Sequence, residues 1–221
     1  MQYNSRPVMS NQPGPHQDLS RRVSRALTHP LRKPVAEHTQ QTFTLAAEWL
    51  KARHSPLILD SGCGVGVSTR QLAAQFPNHA VIGIDRSEDR LARKHGELPS
   101  NALLIRADLV DFWRLAHQAG WAPERHYLLY PNPYPKAGHL KMRWHGHAVF
   151  PTLLALGGCL ELRSNWSIYV EEFALAVAQV TGRQASVSEI TPEGNYLTPF
   201  EAKYAQSGQS LWCLRAELER T

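Results

Sequence analysis

LILDSGCGVGVSTRQLAAQFPNHAVIGID, residues 57–85, reads as a strand, a glycine turn, a helix, a second strand and a closing acid. Leu57 to Leu59 form an apolar run ended by Asp60. Gly62, Gly64 and Gly66 alternate before a helical stretch, and a second apolar run ends at Asp85. Glycine at such places lets main chain pass close to a ligand where a side chain would collide. The unit reads as a nucleotide-cofactor cradle; the second acid, at the end of the next strand, disfavours a turn that merely joins strand to helix.

Spacing separates two cofactor classes. A dinucleotide fold uses G-x-G-x-x-G to seat a pyrophosphate on a helix N-terminus, whereas here the third glycine comes one residue early and Val67 stands where Gly or Ala is wanted. NAD is the poorer fit. D-x-G-x-G-x-G with an acid closing the next strand resembles the class I S-adenosylmethionine (SAM) methyltransferases. That resemblance implies SAM as cofactor, with Gly62, Gly64 and Gly66 in its cradle, Asp60 toward its cationic end and Asp85 accepting both ribose hydroxyls. Asp108, in the run LLIRADL, suits the N-cap of the next helix, and the resemblance adds a contact to adenine through its other oxygen.

With 221 residues the chain can bury one substantial core. Residues 1–20 are polar and rich in Pro, Asn and Gln without periodicity, so they read as a disordered tail before a single domain over 21–221. From Pro34 a helix is expected. Strands near 57–60, 80–84, 102–106 and 125–130 then alternate with helices over 66–75, 87–95 and 108–119. A helix near 144–156, a strand at 158–163, a helix at 166–180 and strands near 184–190 and 210–218 complete the chain. The expected fold class is α/β, a doubly wound and mostly parallel seven-stranded sheet of the Rossmann-like methyltransferase type.

No apolar run is long enough for a bilayer and no leader is apparent, so a cytoplasmic protein is expected, with a monomer favoured. Cys63, Cys159 and Cys213 are widely spaced, which argues against disulfides and a cysteine zinc site. The formal charge of +5 is unevenly spread. From Arg125 through Leu160 there is no acid, while Lys136, Lys141 and Arg143 come with His139, His145 and His147. This cluster follows a strand end, where α/β folds bind ligands, and reads as a phosphate-contacting surface rather than a metal site. Arg21, Arg22, Arg25, Arg32 and Lys33 read as a solvated face. Trp113, Trp121 and Trp166 read as packing residues.

The fourth strand breaks into PNPYPK, residues 131–136, whose three prolines forbid helix and stiffen the segment. This segment resembles the P-D-P-W-x-K of the tRNA (guanine-N7)-methyltransferase family. RSNWSIYVEEF, residues 163–173, resembles its T-D-W-x-x-Y block, and LTPFEAKYAQSGQSLW, residues 197–212, its closing T-x-F/Y-E-x-K/R block. The order matches from about residue 57 to the end. The resemblance implies transfer of a methyl group from SAM to a guanine ring nitrogen in tRNA. It places Asn132 with Asp60, Asp85 and Asp108 at the cofactor, Asn132 and Lys136 at the chemistry, and Lys136, Asn165, Thr198 and Glu201 at the substrate. Lys141 and Arg143 would hold RNA phosphate.

Two departures are of one kind: Asn132 and Asn165 stand where the family has Asp. A carboxylate accepts from paired donors on guanine and offsets charge formed at the ring, whereas an amide offers one acceptor and two donors. A divergent relative that methylates another base or a small molecule, and a binding protein that has lost turnover, therefore stand as alternatives.

Overall fold

The computed structural model describes residues 5–220, and the expectations for residues 1–4 and 221 lie outside it. The chain runs α1 (Leu19–Thr28), α2 (Glu37–Lys51), β1 (Leu57–Ser61), α3 (Val67–Gln75), β2 (Ala80–Asp85), α4 (Glu88–Leu91), β3 (Ala102–Arg106), α5 (Leu109–Gln118) and β4 (Arg125–Leu129). It continues through two 3₁₀ turns to α6 (Phe150–Ala155), β5 (Gly158–Ser164), α7 (Ser167–Thr181), β6 (Ser186–Ile190), α8 (Pro199–Gln206) and β7 (Leu211–Leu218). The strands form one seven-stranded sheet in the order β3-β2-β1-β4-β5-β7-β6. β1 to β5 are parallel, and β7 runs antiparallel to both β5 and β6.

All positions of β1 and β2 are buried, because helices cover both faces there, and the strands are accordingly apolar up to their carboxyl ends, where Asp60, Ser61 and Asp85 stand. Successive residues point to opposite sides: Leu57 and Leu59 join Ile82, Ile84, Leu128, Leu160 and Leu162 under α1, α2, α5, α6 and α7, while Ile58, Val81, Tyr127 and Leu129 meet Leu72 and Ala73 of α3. Each aliphatic side chain so enclosed contributes about 1.5–3 kcal/mol relative to exposure. α3 and α6 therefore leave β1 and β4 toward opposite faces, which opens a crevice at the carboxyl ends of those two neighbouring strands.

Several expected elements differ. The helix expected over 87–95 is only Glu88–Leu91, since every residue from Ala92 to Glu97 is exposed and gives the helix no face to bury. The helix expected from 144 begins at Phe150, with Pro151 in its first turn. Before it the chain must turn tightly at Gly146, where a Cβ would lie 2.0 Å from the Leu140 carbonyl oxygen. α1 lies partly inside the expected tail. Leu19, Val23 and Ala26 give it a buried stripe that the surrounding arginines and serines mask in the sequence. Residues 5–18 have almost no regular structure, yet they are tied to the body. Ser5 N–H donates to Ser207, Ser10 Oγ to the Pro135 carbonyl and His16 N–H to Glu172.

Candidate active site

The glycine turn stands at the crevice, between the carboxyl ends of β1 and β2. Gly62 and Cys63 donate their amides to the Ile84 carbonyl (2.7 and 3.0 Å), pinning the turn to β2. At Gly64, φ is +60° and a Cβ would find nothing within 4 Å, so the main chain faces open space with no side chain in the way. Gly66 differs. Its φ is +76°, and a Cβ there would meet Leu104 and Arg70 atoms at 2.8 Å, so this glycine serves close packing of α3 on β3 rather than contact with a ligand.

The two strand-end acids also divide. Asp85 Oδ2 accepts from Gly64 N–H (2.9 Å) and Oδ1 from Ser87 N–H (2.8 Å), which orders the turn and leaves a further lone pair on each oxygen. Asp60 is only 1% exposed, and its Oδ2 accepts from both Ser68 (2.6 Å) and Thr69 (2.7 Å) at the start of α3. Burial raises its pKa to about 6, against the lowering by those two hydroxyls. In the fold Asp60 braces the turn from beneath through Oδ2. Asp108 caps α5 with Oδ1, accepting from Val110 and Asp111 amides, and Oδ2 takes no part in the cap.

The loop after β4 carries backbone strain that the sequence does not announce. Tyr130 and Tyr134 have φ of +52° and +45°, left-handed values that cost a non-glycine residue on the order of 1–3 kcal/mol each. The surroundings hold both. Tyr130 N–H donates to the Arg163 carbonyl on β5 (2.8 Å), and its ring lies against Tyr204. Tyr134 is gripped from two sides: its amide donates to Asn132 Oδ1 (3.2 Å), and its carbonyl accepts from Arg143 Nε (3.2 Å) and Nη2 (3.1 Å).

Arg143 is thus not a phosphate contact. It is fully buried and paired with Glu172 at 2.6 Å, whose Oε2 also accepts from His145 Nε2 at 2.8 Å. The other oxygen of Glu172 accepts from Gln12 Nε2 (3.0 Å) and His16 N–H (2.9 Å). Burial alone would raise the Glu172 pKa, but the His145 and Arg143 bonds override it and bring it down to about 2. His145 is likewise drawn inside, where burial lowers its pKa. Of the basic cluster, Lys136 and Lys141 remain exposed, and neither forms an ion pair among the described residues.

The closing block turns inward as well. Thr198 caps α8 by accepting from Glu201 N–H (2.9 Å), and Glu201, fully buried, binds Arg163 Nη1 through both oxygens (2.9 and 3.2 Å). Both are thus held within the fold, Thr198 as a helix cap and Glu201 paired with β5. Asn165, directly after β5, donates Nδ2 to Gln209 Oε1 (2.9 Å). Glu172, Gln209 and the strained tyrosines are the residues sequence reasoning missed. Glu172 alone had a signal, a charge on the face of α7 that also carries Tyr169, Val170, Phe173 and Ala176.

Comparison with known proteins bears on the family and the fold. The sequence profile of the family described as "Putative methyltransferase" matches residues 54–214. A tRNA (guanine-N(7)-)-methyltransferase from a Nocardioides species is 31% identical over 180 residues, covering 76% of this chain and 69% of that protein. One of the same name from Nitrosococcus oceani is 28% identical over 229 residues, covering 93% of this chain and 92% of its own. Among solved structures, an antibiotic-related methyltransferase superposes with a TM-score of 0.60 at 16% identity, over 84% of this chain and 100% of that one. A 16S rRNA (adenine(1408)-N(1))-methyltransferase from Catenulisporales acidiphilia, solved with its cosubstrate SAM, gives 0.54 at 18% identity, over 78% and 90%. The structural likeness carries the fold, and the sequence likeness carries the family: this chain belongs to the tRNA (guanine-N7)-methyltransferase family.

Proposed function

We propose that the chain uses SAM to methylate the N7 ring nitrogen of guanine in tRNA. The observation that carries this reading is the meeting, at the ends of β1 and β4, of an open glycine turn braced by Asp85 with a rigid loop bearing Asn132 and Lys136. Bound SAM would supply a methyl group already activated on a sulfonium. The chain's own part is then mostly positioning, which accounts for large rate effects when reacting atoms are held in line. Gly62 and Gly64 offer main chain without side-chain obstruction, the remaining lone pairs of Asp85 suit ribose hydroxyls, and the uncapping oxygen of Asp108 suits adenine. N7 attacks with its own lone pair, so no base is needed.

The stiff 130–136 segment keeps the base from retreating, and exposed Lys136 and Lys141 suit the RNA backbone. Asn132 and Asn165, just beyond the ends of neighbouring strands, would meet the base. Purified protein with labelled SAM and bulk tRNA, followed by nucleoside analysis, tests the reading. Label in 7-methylguanosine supports it; label in another nucleoside, or SAM binding without transfer, overturns it.

A further inference from the structure

Partners that can act in only one sense fix the orientation of both asparagine amides. Asn132 Oδ1 accepts from the Tyr134 amide, and a main-chain N–H can only donate, so the end that remains, exposed beyond β4, is the donor Nδ2. Asn165 is set by a relay. The Ser5 carbonyl can only accept, so Gln209 turns Nε2 to it (2.8 Å) and presents Oε1 to Asn165, which must therefore donate. The end of Asn165 that remains is the acceptor Oδ1. Neither Asn132 Nδ2 nor Asn165 Oδ1 has a hydrogen bond to another described residue.

The order of these two groups across the sheet carries chemical information. Asn132 follows β4, which neighbours β1 and its glycine turn, and Asn165 follows β5, one strand farther from the turn. Moving outward from the cofactor end, the site offers a donor and then an acceptor. Guanine, followed around its edge from N7, offers the acceptor O6, then the donor N1–H, then the donor 2-amino group. Adenine offers the donor N6 and then the acceptor N1, the reverse of what the amides can satisfy.

We infer that Asn132 Nδ2 donates to O6 and Asn165 Oδ1 accepts from N1–H, so that the base is chosen at those two groups and the 2-amino group is not read. This deepens the proposed guanine chemistry and rests on it. A pair of carboxylates would instead select two adjacent donors, N1–H and the 2-amino group. The change from Asp to Asn at both positions is therefore a change in which edge groups are read. It is wired into the fold, because a carboxylate at 165 would face Gln209 Oε1 as a second acceptor unless Gln209 abandoned Ser5.

The test uses the full chain, SAM and tRNA joined from synthetic halves, with the guanosine that takes label replaced by inosine, 2-aminopurine or adenosine. Inosine, which lacks only the 2-amino group, is expected to keep kcat/KM within about threefold of guanosine. 2-Aminopurine and adenosine, which lose O6 and N1–H, are expected to fall by about a hundredfold or more. Asn132→Asp keeps an acceptor for the Tyr134 amide but has no proton to give, and should lower guanosine and inosine together by about tenfold or more. A fall of more than about tenfold on inosine, with guanosine still methylated, overturns the inference and leaves the methyltransferase reading standing. Absence of transfer to any guanosine of tRNA overturns both.

Discussion

Replacing His126 by Gln should remove a specific part of the protein's acid sensitivity. His126 lies on β4 beneath the glycine turn, only 1% exposed, with Nε2 2.7 Å from Ser61 Oγ, and Ser61 also accepts from Trp113 Nε1 at 3.1 Å. Burial disfavours the imidazolium and lowers the His126 pKa from 6.5 to about 3. Below pH 6.5 the unfolded chain takes up a proton there that the folded chain refuses, so the stability is full above 6.5 and is lost as pH falls toward 3. The slope is about 1.4 kcal/mol per pH unit, so between about pH 7.5 and about pH 5 the loss amounts to about 2 kcal/mol. Asp60 acts in the opposite sense. Its raised pKa means the folded chain binds the extra proton between 3.8 and about 6, a contribution full below 3.8 and lost as pH rises through 6. The two partly mask each other in the parent, so the informative quantity is a difference between proteins. Urea unfolding of parent and His126→Gln at both pH values should show the parent losing about 2 kcal/mol more than the variant. Equal losses in the two proteins would refute the view that His126 is held neutral in the fold.

Other perturbations address the rest of the site. Asp85→Ala removes the acceptor of the Gly64 amide and the proposed ribose acceptor together, and calorimetry should show SAM binding weakened by about 1.5–3 kcal/mol, or about tenfold or more. Lys136→Ala with Lys141→Ala should weaken tRNA binding and flatten its dependence on salt while leaving SAM affinity unchanged, as read by binding titrations at several salt concentrations. Arg143 falls outside that set, because it is buried. Glu172→Ala strands the Arg143 guanidinium inside the protein and should cost about 3–5 kcal/mol in unfolding experiments, with Glu172→Gln costing less.

The parts of the fold that were legible in the sequence are those where local pattern and tertiary environment ask for the same residues. β1 and β2 are buried on both faces, so an apolar run with glycine and acid at its end could mean little else. α1 and α4 were misread for complementary reasons. α1 buries a narrow stripe of Leu19, Val23 and Ala26 amid residues typical of a loose tail, whereas the helix-forming residues after Leu91 have no surface to pack against and the helix stops. In each case propensity was overruled by whether a partner surface exists, which a single sequence does not state.

At the proposed site, the sequence names candidate residues but does not say which way they face. Asp60, Arg143, Thr198 and Glu201 are all buried, and all four bind within the protein, to Ser68 and Thr69, to Glu172 and Tyr134, in a helix cap, and to Arg163. Charged motif residues are natural candidates for ligand contact, yet a loop with two left-handed tyrosines has to be held by something, and buried charge-assisted bonds are the strong way to do it. The sense of each asparagine depends on partners 2 and 44 residues away, Tyr134 and Gln209, and the second of these depends in turn on Ser5, 204 residues from Gln209. Sequence reasoning treated both Asp-to-Asn changes as weakened acceptors. With the amides oriented, one is a donor and the other an acceptor, and the same two departures become a selection rule rather than a decay.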